Sequence, residues 1–399
     1  MYFVHPQINL NKKIFREIFS SFFQTPDLKS LNKKLSYFFP SEAKKTRFRE
    51  AGSYSFPKKQ IVFTDMGRSA FQIIIEKMNL RNSQMLFPSY ICDIFSPIFQ
   101  KYNIKPIFLD ADVKTFNLKI EEIEKKITPQ TKSIFVSHIY GLPNNINKIL
   151  SLAKKHNLKV IEDCAHSFGI KKGKKYLGNF GEASIFSLYK FLPVCRGGML
   201  VCPKDWKIDL EETSFSSRDF ISFLNHFSFW AFLFKKFGGI ISPKIIRKEK
   251  LLKIGGINKV SLNLFSCFFE EHQKNLKKRI NLGLFFQKEL KSLGFETQES
   301  KNNGFCYLSV LMPEKLKEKR DDFIKELRKK GISCTRMWHT PIILNPELQK
   351  KYKIDLNQFP NTLNISQRII NFPLQDYFQK KNIKEIIGKI KTTCLDIKV

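Results

Sequence analysis

The sequence lacks several features that would place it in a particular class. Its eight cysteines form no Cys-x-x-Cys pair and no histidines lie near them at zinc-ligand spacing, so we predict no metal site and expect reduced, mostly buried thiols. Acidic residues are scarce, with 36 Asp and Glu against 69 Lys and Arg, a formal net charge of +33. The charge is spread along the chain without any nucleic-acid-binding motif. We therefore expect no nucleic acid partner, although charge alone keeps that alternative open.

The sequence also lacks an apolar run long enough to cross a bilayer. The Phe-rich stretch 220–234 is uncharged but holds only 15 residues, fewer than the ~18–20 that a spanning helix needs. We expect it to pack in the core or at a subunit interface, and the alternative is an interfacial helix that contacts a membrane through residues 220–241. No basic region followed by an apolar stretch opens the chain, which predicts a cytoplasmic protein, with membrane association as the alternative.

What the chain does have, from Ile61 to about Cys202, is an alternation of short apolar runs and helix-length amphipathic runs. Repeated units of this kind indicate a largely parallel sheet with helices on both faces. The predicted strands are 84–87, 106–110, 133–137, 159–163, 185–188 and 198–202, and the predicted helices are 68–80, 91–102, 119–126 and 146–156.

With 399 residues and 42% hydrophobic content, the chain can bury a large core and form one big and one small domain. We predict an N-terminal helical extension over residues 1–58, docked against the main body, and a large α/β domain over residues 59–205 that extends to about 255 with an irregular Phe-rich insertion. Residues 256–399 are predicted to form a smaller α+β domain. In it we predict a long helix at 258–293, strands at 306–311 and 333–338, and helices at 313–330, 364–370 and 381–390.

Two charged residues end predicted strands in the large domain. Asp163 closes the run Lys159-Val-Ile-Glu-Asp163, and Lys190 closes Ser184-Ile-Phe-Ser-Leu-Tyr-Lys190, with Gly197-Gly198 behind it. Strand ends of an open α/β sheet border the crevice where ligands bind. A carboxylate that keeps a pyridine nitrogen protonated and a lysine that can form a Schiff base are the two groups that pyridoxal phosphate requires.

These segments, in this order, resemble the DegT/DnrJ/EryC1/StrS family of pyridoxal-phosphate sugar aminotransferases. Val160-Ile-Glu-Asp-Cys-Ala-His166 is similar to the family's Val-Glu-Asp-Ala-Ala-Gln, and Ser137-His-Ile-Tyr-Gly-Leu-Pro143 is similar to its Val-His-Leu-Tyr-Gly-Gln-Pro. The resemblance covers about 61–202 well and 331–390 loosely. It implies an α/β, fold-type I architecture with a mostly parallel seven-stranded sheet flanked by helices, a smaller C-terminal α+β domain, and a homodimer.

The resemblance also implies roles for the central residues. Lys190 corresponds to the Schiff-base lysine that relays a proton, and Asp163 to the carboxylate opposite the pyridine nitrogen. His166 occupies the family's Gln position near the ring or its 3-hydroxyl, and a structural histidine is the alternative. Ser187 corresponds to a phosphate ligand, although Ser187-Leu-Tyr-Lys190 is two residues shorter than the family's Ser-Phe-Tyr-Pro-Thr-Lys.

Further positions follow from the same resemblance. Gly67, Arg68 and Ser69 correspond to the phosphate-binding turn, where we expect the amides of Arg68 and Ser69 and the Arg68 charge to bind the anion. Tyr90 is the candidate for stacking on the cofactor ring. Asn258 corresponds to a residue that reaches the neighbouring subunit's cofactor, but Val260 stands where the family has an Arg. Trp338-His339-Thr-Pro341 resembles His-Tyr-x-Pro, which makes His339 a candidate substrate contact.

The expected function is transfer of an amino group, with glutamate as donor, onto a nucleotide-linked keto-sugar in surface polysaccharide or other glycoconjugate synthesis. Its cofactor would be pyridoxal 5′-phosphate, and its small-molecule partners would be the nucleotide sugar and the amino acid. The alternative is a catalytically altered or inactive family member that acts as a membrane-associated or assembly component.

Overall fold

A computed structural model describes residues 2–40, 58–237, 252–299 and 302–397, with the backbone alone for 234–237. Its centre is a seven-stranded sheet in the order β2-β10-β9-β6-β5-β3-β4. Every strand runs parallel to its neighbours except β10, which is antiparallel to both β2 and β9. The strands of this sheet are β2 Lys59–Thr64, β3 Gln84–Pro88, β4 Lys105–Leu109, β5 Thr131–Ser137, β6 Lys159–Asp163, β9 Ala183–Ser187 and β10 Gly198–Pro203.

The remaining strands form smaller sheets. β11 Glu296–Thr297, β12 Leu308–Leu311 and β14 Ile369–Phe372 make an antiparallel sheet, β1 Tyr2–Phe3 pairs in parallel with β13 Ile332–Ser333, and β7 Lys171–Lys172 pairs with β8 Lys175–Tyr176. The pairing of β1 with β13 joins the first residues of the chain to its last third.

Thirteen α-helices lie in the described residues. They are α1 Lys12–Ser21, α2 Leu28–Leu35, α3 Gly67–Lys77, α4 Ser96–Tyr102, α5 Ile123–Lys126, α6 Ile146–Lys155, α7 Ser217–Leu224, α8 Ser228–Phe237, α9 Lys259–Lys291, α10 Arg320–Lys329, α11 Pro346–Tyr352, α12 Pro360–Arg368 and α13 Lys380–Asp396. Short 3₁₀ helices cover Asp93–Phe95, Ile120–Glu122, Ile139–Gly141, Leu188–Lys190, Glu314–Lys319, Ile342–Leu344 and Leu356–Gln358. Among these elements, no helix has the length and apolarity to cross a membrane.

Both faces of the large sheet are buried, as the sequence pattern predicts. In β6, Val160 faces one apolar cluster and Ile161 faces another, because successive side chains of a strand point to opposite faces. The second cluster stacks Phe87 on Phe135 with ring centroids 4.6 Å apart. A third cluster fills the space between α9, the β11-β12-β14 sheet and α13, in the part of the chain predicted to form a smaller domain. The domain limits themselves remain a prediction.

The N-terminal segment packs across the body of the protein. Asn11 caps α1 by accepting the Ile14 N–H, and the helix lays Ile14 and Ile18 on the core. After α2, the rings of Phe38 and Phe39 enter the same core, Phe38 lying 5.5 Å from Phe269 of α9. The predicted docking of a helical extension is thus observed for residues 12–39, whereas 41–57 lie outside the described residues.

Three sequence predictions of local structure need correction. The sequence pattern did not single out β2, whose residues Lys59–Thr64 pair with β10. The predicted strand 333–338 is a strand only at Ser333, because Trp338 has a left-handed backbone with a φ of +57°. Residues 364–370 are not one helix, since α12 ends at Arg368 and β14 begins at Ile369.

Candidate active site

The predicted site residues lie at one edge of the large sheet. Asp163 ends β6, and its register partners are Ser137 at the end of β5 and Ile185 in β9. Ser187 ends β9 and faces Gly198, the first residue of β10, which also pairs with Thr64 just before α3. Parallel strands therefore bring Asp163, Ser187 and the start of α3 to the same edge, where crevices form in open α/β sheets.

The Asp163 carboxylate is buried and held by two hydrogen bonds. Its Oδ2 accepts from the Ser137 hydroxyl at 2.8 Å, and its Oδ1 accepts from the Ala165 N–H at 2.9 Å. Ser137 ends β5 and Ala165 lies in the turn after β6, so the end of one strand and the turn after the next fix the direction of this charge.

Lys190 lies in the 3₁₀ helix that follows β9. Ser187, with an extended backbone, directly precedes this helix, and Lys190 is its last residue. Burial acts to lower the pKa of Lys190, but Tyr189, Cys92 and Asp163 together raise it, so the lysine feels the Asp163 charge. Because Asp163 is the register partner of Ile185, Lys190 follows the strand that lies beside Asp163.

His166 is the partner of Lys190. Its Nε2 lies 3.0 Å from the Lys190 Nζ, and its Nδ1 accepts the Tyr140 N–H at 3.2 Å. The imidazole is buried, and burial together with the Lys190 charge holds its pKa well below the usual range, so the ring is neutral.

Trp338 covers this pair, and the sequence analysis did not select it. Its ring lies near-parallel to His166, with centroids 5.0 Å apart, and near-parallel to Tyr140 at 5.3 Å, while the Lys190 Nζ is 5.9 Å from its centroid. A left-handed backbone is rare for so bulky a residue and marks a constrained position. The sequence signal that could have identified Trp338 is its position next to His339 in the motif Trp338-His339-Thr-Pro341.

Tyr90 is buried behind Trp338. Its hydroxyl bonds the Tyr140 hydroxyl at 2.8 Å, and its ring meets Trp338 edge-on at 79°. Stacking of Tyr90 on a cofactor ring stays a prediction, and the ring of Trp338 lies with its centroid 5.9 Å from the Lys190 Nζ.

The predicted phosphate turn opens α3. Met66 precedes the helix without a side-chain cap, and a Cβ at Gly198 would lie 2.4 Å from the Met66 carbonyl carbon, so glycine at 198 allows the close approach of the turn. Arg68 adds a half-buried guanidinium whose pKa is lowered by burial. An uncapped helix start beside a basic side chain is suited to bind a phosphate group.

Ser69 is arranged differently from the prediction. Its N–H donates to the Met66 carbonyl at 3.0 Å and its hydroxyl to Asp65 Oδ1 at 2.5 Å. Asp65 also accepts from Arg196 Nη2 at 2.7 Å, a pair that sequence reasoning did not find. The expectation that the Ser69 amide is available to the anion is therefore corrected, and a role for its hydroxyl would require exchange of Asp65 for phosphate.

Two peripheral predictions are placed near this centre. Asn258 is buried, its Oδ1 caps α9 by accepting the Ser261 N–H at 2.8 Å, and its Nδ2 has no partner in the described part of the chain. The preceding Gly255 accepts the Asp65 N–H at 2.8 Å, so this loop lies against the phosphate turn of its own chain. His339 is half-buried, with its Nδ1 3.0 Å from the Arg336 carbonyl oxygen. Contact with a partner subunit or a substrate stays a prediction for both.

An open cleft of about 550 Å³ borders the centre. Trp338 and Cys92 form its inner wall, and His339 is also in the lining. Cys92 is close enough to both Lys190 and Asp163 for their charges to act on its pKa, which burial raises. Arg328 and Arg336 bring positive charge to the outer wall, where Arg336 pairs with Asp321.

These residues fit pyridoxal phosphate, the cofactor implied by the resemblance. An amine and a carboxylate face one centre at the sheet edge, and an uncapped helix start with Arg68 lies at the same edge. The set supplies one group for the aldehyde carbon, one for the pyridine nitrogen and one for the phosphate.

A second buried carboxylate supports the site from the opposite side of β6. Glu162 accepts the N–H groups of Gly178, Phe180 and Gly181 and lies 3.3 Å from His138 Nε2. Burial alone would raise the pKa of Glu162, but His138, Lys59 and these amides lower it. His138, which follows β5, is thus tied through Glu162 to the 178–181 loop, and Glu162 was not foreseen.

Comparison with known proteins identifies the family and supports the fold. The model of the DegT/DnrJ/EryC1/StrS aminotransferase family matches residues 95–216 and 266–391. The dTDP-4-amino-4,6-dideoxy-D-glucose transaminase of Shigella dysenteriae is 26% identical over 297 residues, which are 72% of this chain and 73% of that protein. The GDP-perosamine synthase of Escherichia coli O157:H7 is 47% identical over 98 residues, 24% of this chain and 27% of that enzyme.

Among solved structures, NtdA of Bacillus subtilis with bound cofactor PMP superposes with a TM-score of 0.70 at 17% identity, covering 96% of this chain and 82% of that one. This likeness extends over nearly the whole length. It shows that the fold is that of the fold-type I aminotransferases.

Proposed function

Because the chain belongs to the DegT/DnrJ/EryC1/StrS aminotransferase family, we propose that it transfers an amino group from glutamate to a nucleotide-linked keto-sugar in surface polysaccharide or glycoconjugate synthesis. Its cofactor is pyridoxal 5′-phosphate. The observation that carries the proposal is the placement of Lys190 with Asp163 at one sheet edge, Lys190 being paired to His166. The dTDP- and GDP-sugar enzymes among the relatives support a nucleotide sugar as the substrate class.

Each residue of the centre has a defined task in this proposal. The bound cofactor supplies an aldehyde carbon that bonds amines and a ring that withdraws electrons. Lys190 holds that carbon and carries a proton between it and the substrate carbon that bears nitrogen. Asp163, oriented by Ser137, keeps the proton on the pyridine nitrogen. His166 holds the Lys190 amine in place.

In this proposal the surrounding residues bind the cofactor phosphate and the substrate, and they enclose Lys190. Gly67, Arg68 and Ser187 hold the phosphate at the start of α3. Trp338 shields the lysine from water, and Tyr90 supports Trp338 from behind. Arg328 and Arg336 of the adjoining cleft offer positive charge for the diphosphate of the nucleotide, and His339 contacts the sugar.

We propose that two copies form a homodimer, as the resemblance to fold-type I enzymes implies. The buried Nδ2 of Asn258, which has no partner among the described residues, supports a contact with the neighbouring molecule's cofactor. We place the enzyme in the cytoplasm, which the eight unpaired cysteines support.

For the segment 220–241 we propose peripheral membrane contact, supported by exposed Phe220, Phe229 and Phe232; residues 238–241 lie outside the described residues.

The test is incubation of the purified protein with pyridoxal phosphate, glutamate and a panel of GDP-, dTDP- and UDP-linked keto-sugars, with products followed by mass. We expect conversion of a keto group to an amino group, and 2-oxoglutarate in equal amount. Lys190→Ala should abolish both the product and the absorption band of lysine-bound cofactor. Lys101→Ala is the matched control, since its ammonium binds the Gln72 side chain. A chain that gives neither product nor cofactor band contradicts the proposal.

A further inference from the structure

Helix α1 has two apolar faces, and only one is covered. Ile14 and Ile18 are buried against the core, whereas Phe15, Phe19 and Phe23 are 57%, 62% and 76% exposed. The four-residue spacing puts the three rings on one side of the helix and its extension. Phe19 and Phe23 touch, with centroids 5.0 Å apart, so the outer face is a continuous row of rings.

A second group of exposed apolar side chains lies on α7 and α8, next to α1. Phe22, at the end of α1, packs its ring on Phe215 and Phe223 at 5.7 and 6.1 Å. The segment just before α1 is hydrogen-bonded to the junction of α7 and α8, because the Ile8 N–H donates to the His226 carbonyl at 2.8 Å. The exposed members of this second group are Phe220, Ile221, Phe229, Trp230 and Phe232.

The distribution of exposed apolar groups is uneven. Of the 13 large hydrophobic side chains that are exposed in the described residues, ten lie between 10 and 28 or between 220 and 232. Scattered exposed hydrophobics are normal on a protein surface, but a concentration of them marks an interaction site. We call this surface the aromatic face; it consists of Leu10, Phe15, Phe19, Phe23, Leu28 and the five residues of α7 and α8.

The positive charge around the aromatic face distinguishes between two partners, a second copy of the chain and an anionic bilayer. Lys12, Lys13 and Arg16 of α1 flank its rings, and Glu17 is the one acidic residue of that helix. A second copy of the chain would bring the same positive charges to a chain that already carries +33, so like charges would oppose self-association through this face. An anionic bilayer offers both an apolar layer for the rings and negative headgroups for the lysines.

We propose that α1, together with α7 and α8, forms a docking surface for an anionic phospholipid bilayer. The inference extends the membrane contact proposed for 220–241 to a second helix, and it does not depend on the transaminase reaction. The Phe rings of α1 enter the boundary between headgroups and acyl chains, while Lys12, Lys13 and Arg16 lie at headgroup level. Ile14 and Ile18 keep the helix attached to the protein.

Co-sedimentation of the full-length protein with vesicles tests the inference. We compare vesicles of phosphatidylcholine alone with an equal mixture of phosphatidylcholine and phosphatidylglycerol. We expect binding to the mixed vesicles, weakened by added salt. The triple variant Phe15→Ser, Phe19→Ser, Phe23→Ser should lose most of this binding, because it removes the rings without touching the buried face. The control is Tyr377→Ser with Leu395→Ser, which removes exposed apolar groups elsewhere and should bind as the wild type does.

A second variant, Phe229→Ser with Phe232→Ser, separates the two proposals. Binding lost in this variant but kept in the α1 triple variant overturns the inference about α1 and leaves the contact of 220–241 standing. Absence of vesicle binding by the wild type overturns both. A third outcome is that the wild type binds no vesicles and that the triple variant differs from the wild type in oligomeric state, as measured by light scattering. In that case the aromatic face is a self-interface and the inference is wrong. Circular dichroism of each variant checks that it is folded.

Discussion

The Nζ of Lys190 lies 3.0 Å from Nε2 of His166, whose Nδ1 accepts the Tyr140 N–H at 3.2 Å. A neutral imidazole carries one hydrogen, so it can accept at only one of its two nitrogens. Because Nδ1 accepts from the backbone, Nε2 is the protonated nitrogen and faces the lysine as a donor. A lysine ammonium has no lone pair to receive it, whereas a neutral amine does. This contact therefore works against the ammonium form of Lys190, whereas Tyr189, Cys92 and Asp163 act in the opposite direction and raise its pKa.

Substitutions of His166 test this relationship. His166→Gln keeps an N–H that can reach Lys190, whereas His166→Phe keeps the ring volume and loses the donor. We expect the Phe variant to lower kcat by about tenfold, the worth of one hydrogen bond of ~1.5 kcal/mol, and the Gln variant to lower it much less. Cofactor affinity, read from the absorption band of lysine-bound cofactor, should fall in the Phe variant alone. Equal losses in both variants would mean that the donor does not matter.

Asp163 and Ser137 should differ in their effects on the reaction. Asp163→Asn removes the charge that we propose lies opposite the pyridine nitrogen, and since an opposite charge shifts a pKa by ~1–3 units, we expect kcat to fall by about 100-fold. Ser137→Ala removes only the hydroxyl that orients Asp163 at 2.8 Å, and the expected loss is about tenfold or less. Steady-state kinetics at saturating cofactor measure both. The prediction is wrong if Ser137→Ala is as damaging as Asp163→Asn.

Trp338 provides a fluorescent report of cofactor binding. The chain has three tryptophans, and Trp338 is the one whose ring lies 5.9 Å from the Lys190 Nζ. Cofactor attached to Lys190 absorbs where indole emits, so we expect its addition to quench Trp338. In the double variant Trp206→Phe, Trp230→Phe, titration with pyridoxal phosphate should lower most of the emission. The converse variant, Trp338→Phe, should show little quenching, and strong quenching there would place the cofactor away from Trp338.

The sequence predicted the sheet and its edge well because their signals are local. Runs such as 159–163 are apolar on both faces, and their polar ends mark the edge where Asp163 lies. The motif around Lys190 is likewise local, and its shortened spacing coincides with a 3₁₀ helix over Leu188–Lys190; the role of Lys190 stays a prediction. The predictions that succeeded therefore depend on residues that are neighbours along the chain.

The residues that were missed depend on contacts between distant segments. Trp338 reaches His166 across 172 positions of sequence, and it does so through a left-handed backbone that no periodicity signals. Arg196 meets Asp65 and Glu162 meets the 178–181 loop only because the sheet brings them together. The Ser69 expectation failed for a different, local reason, since Asp65, four residues earlier, accepts the Ser69 hydroxyl.

Glu162 should stabilise the folded protein in a pH-dependent way. The Glu162 carboxylate is fully buried and accepts three backbone N–H groups. In Glu162→Gln, the side-chain NH₂ group would replace one of the accepting oxygens and face backbone N–H groups, which are also donors. We expect the free energy of unfolding at neutral pH to fall by about 3 kcal/mol, as for other buried charges deprived of their partners. Urea unfolding followed by circular dichroism measures the change. Glu124→Gln is the control, because Glu124 is a surface carboxylate paired with Lys155 and should matter little.

The pH dependence has a definite sign. The pKa of Glu162 in the folded protein is held below its unfolded value by His138, Lys59 and the loop amides against the effect of burial. Its contribution is therefore fully present above the unfolded pKa of about 4.3 and is lost as the pH falls through the folded value. Stability of the wild type should decline on acidification below about pH 4 by more than that of Glu162→Gln, so the two unfolding curves converge toward low pH. A constant difference between them across this range would show that Glu162 acts through packing and not through its charge.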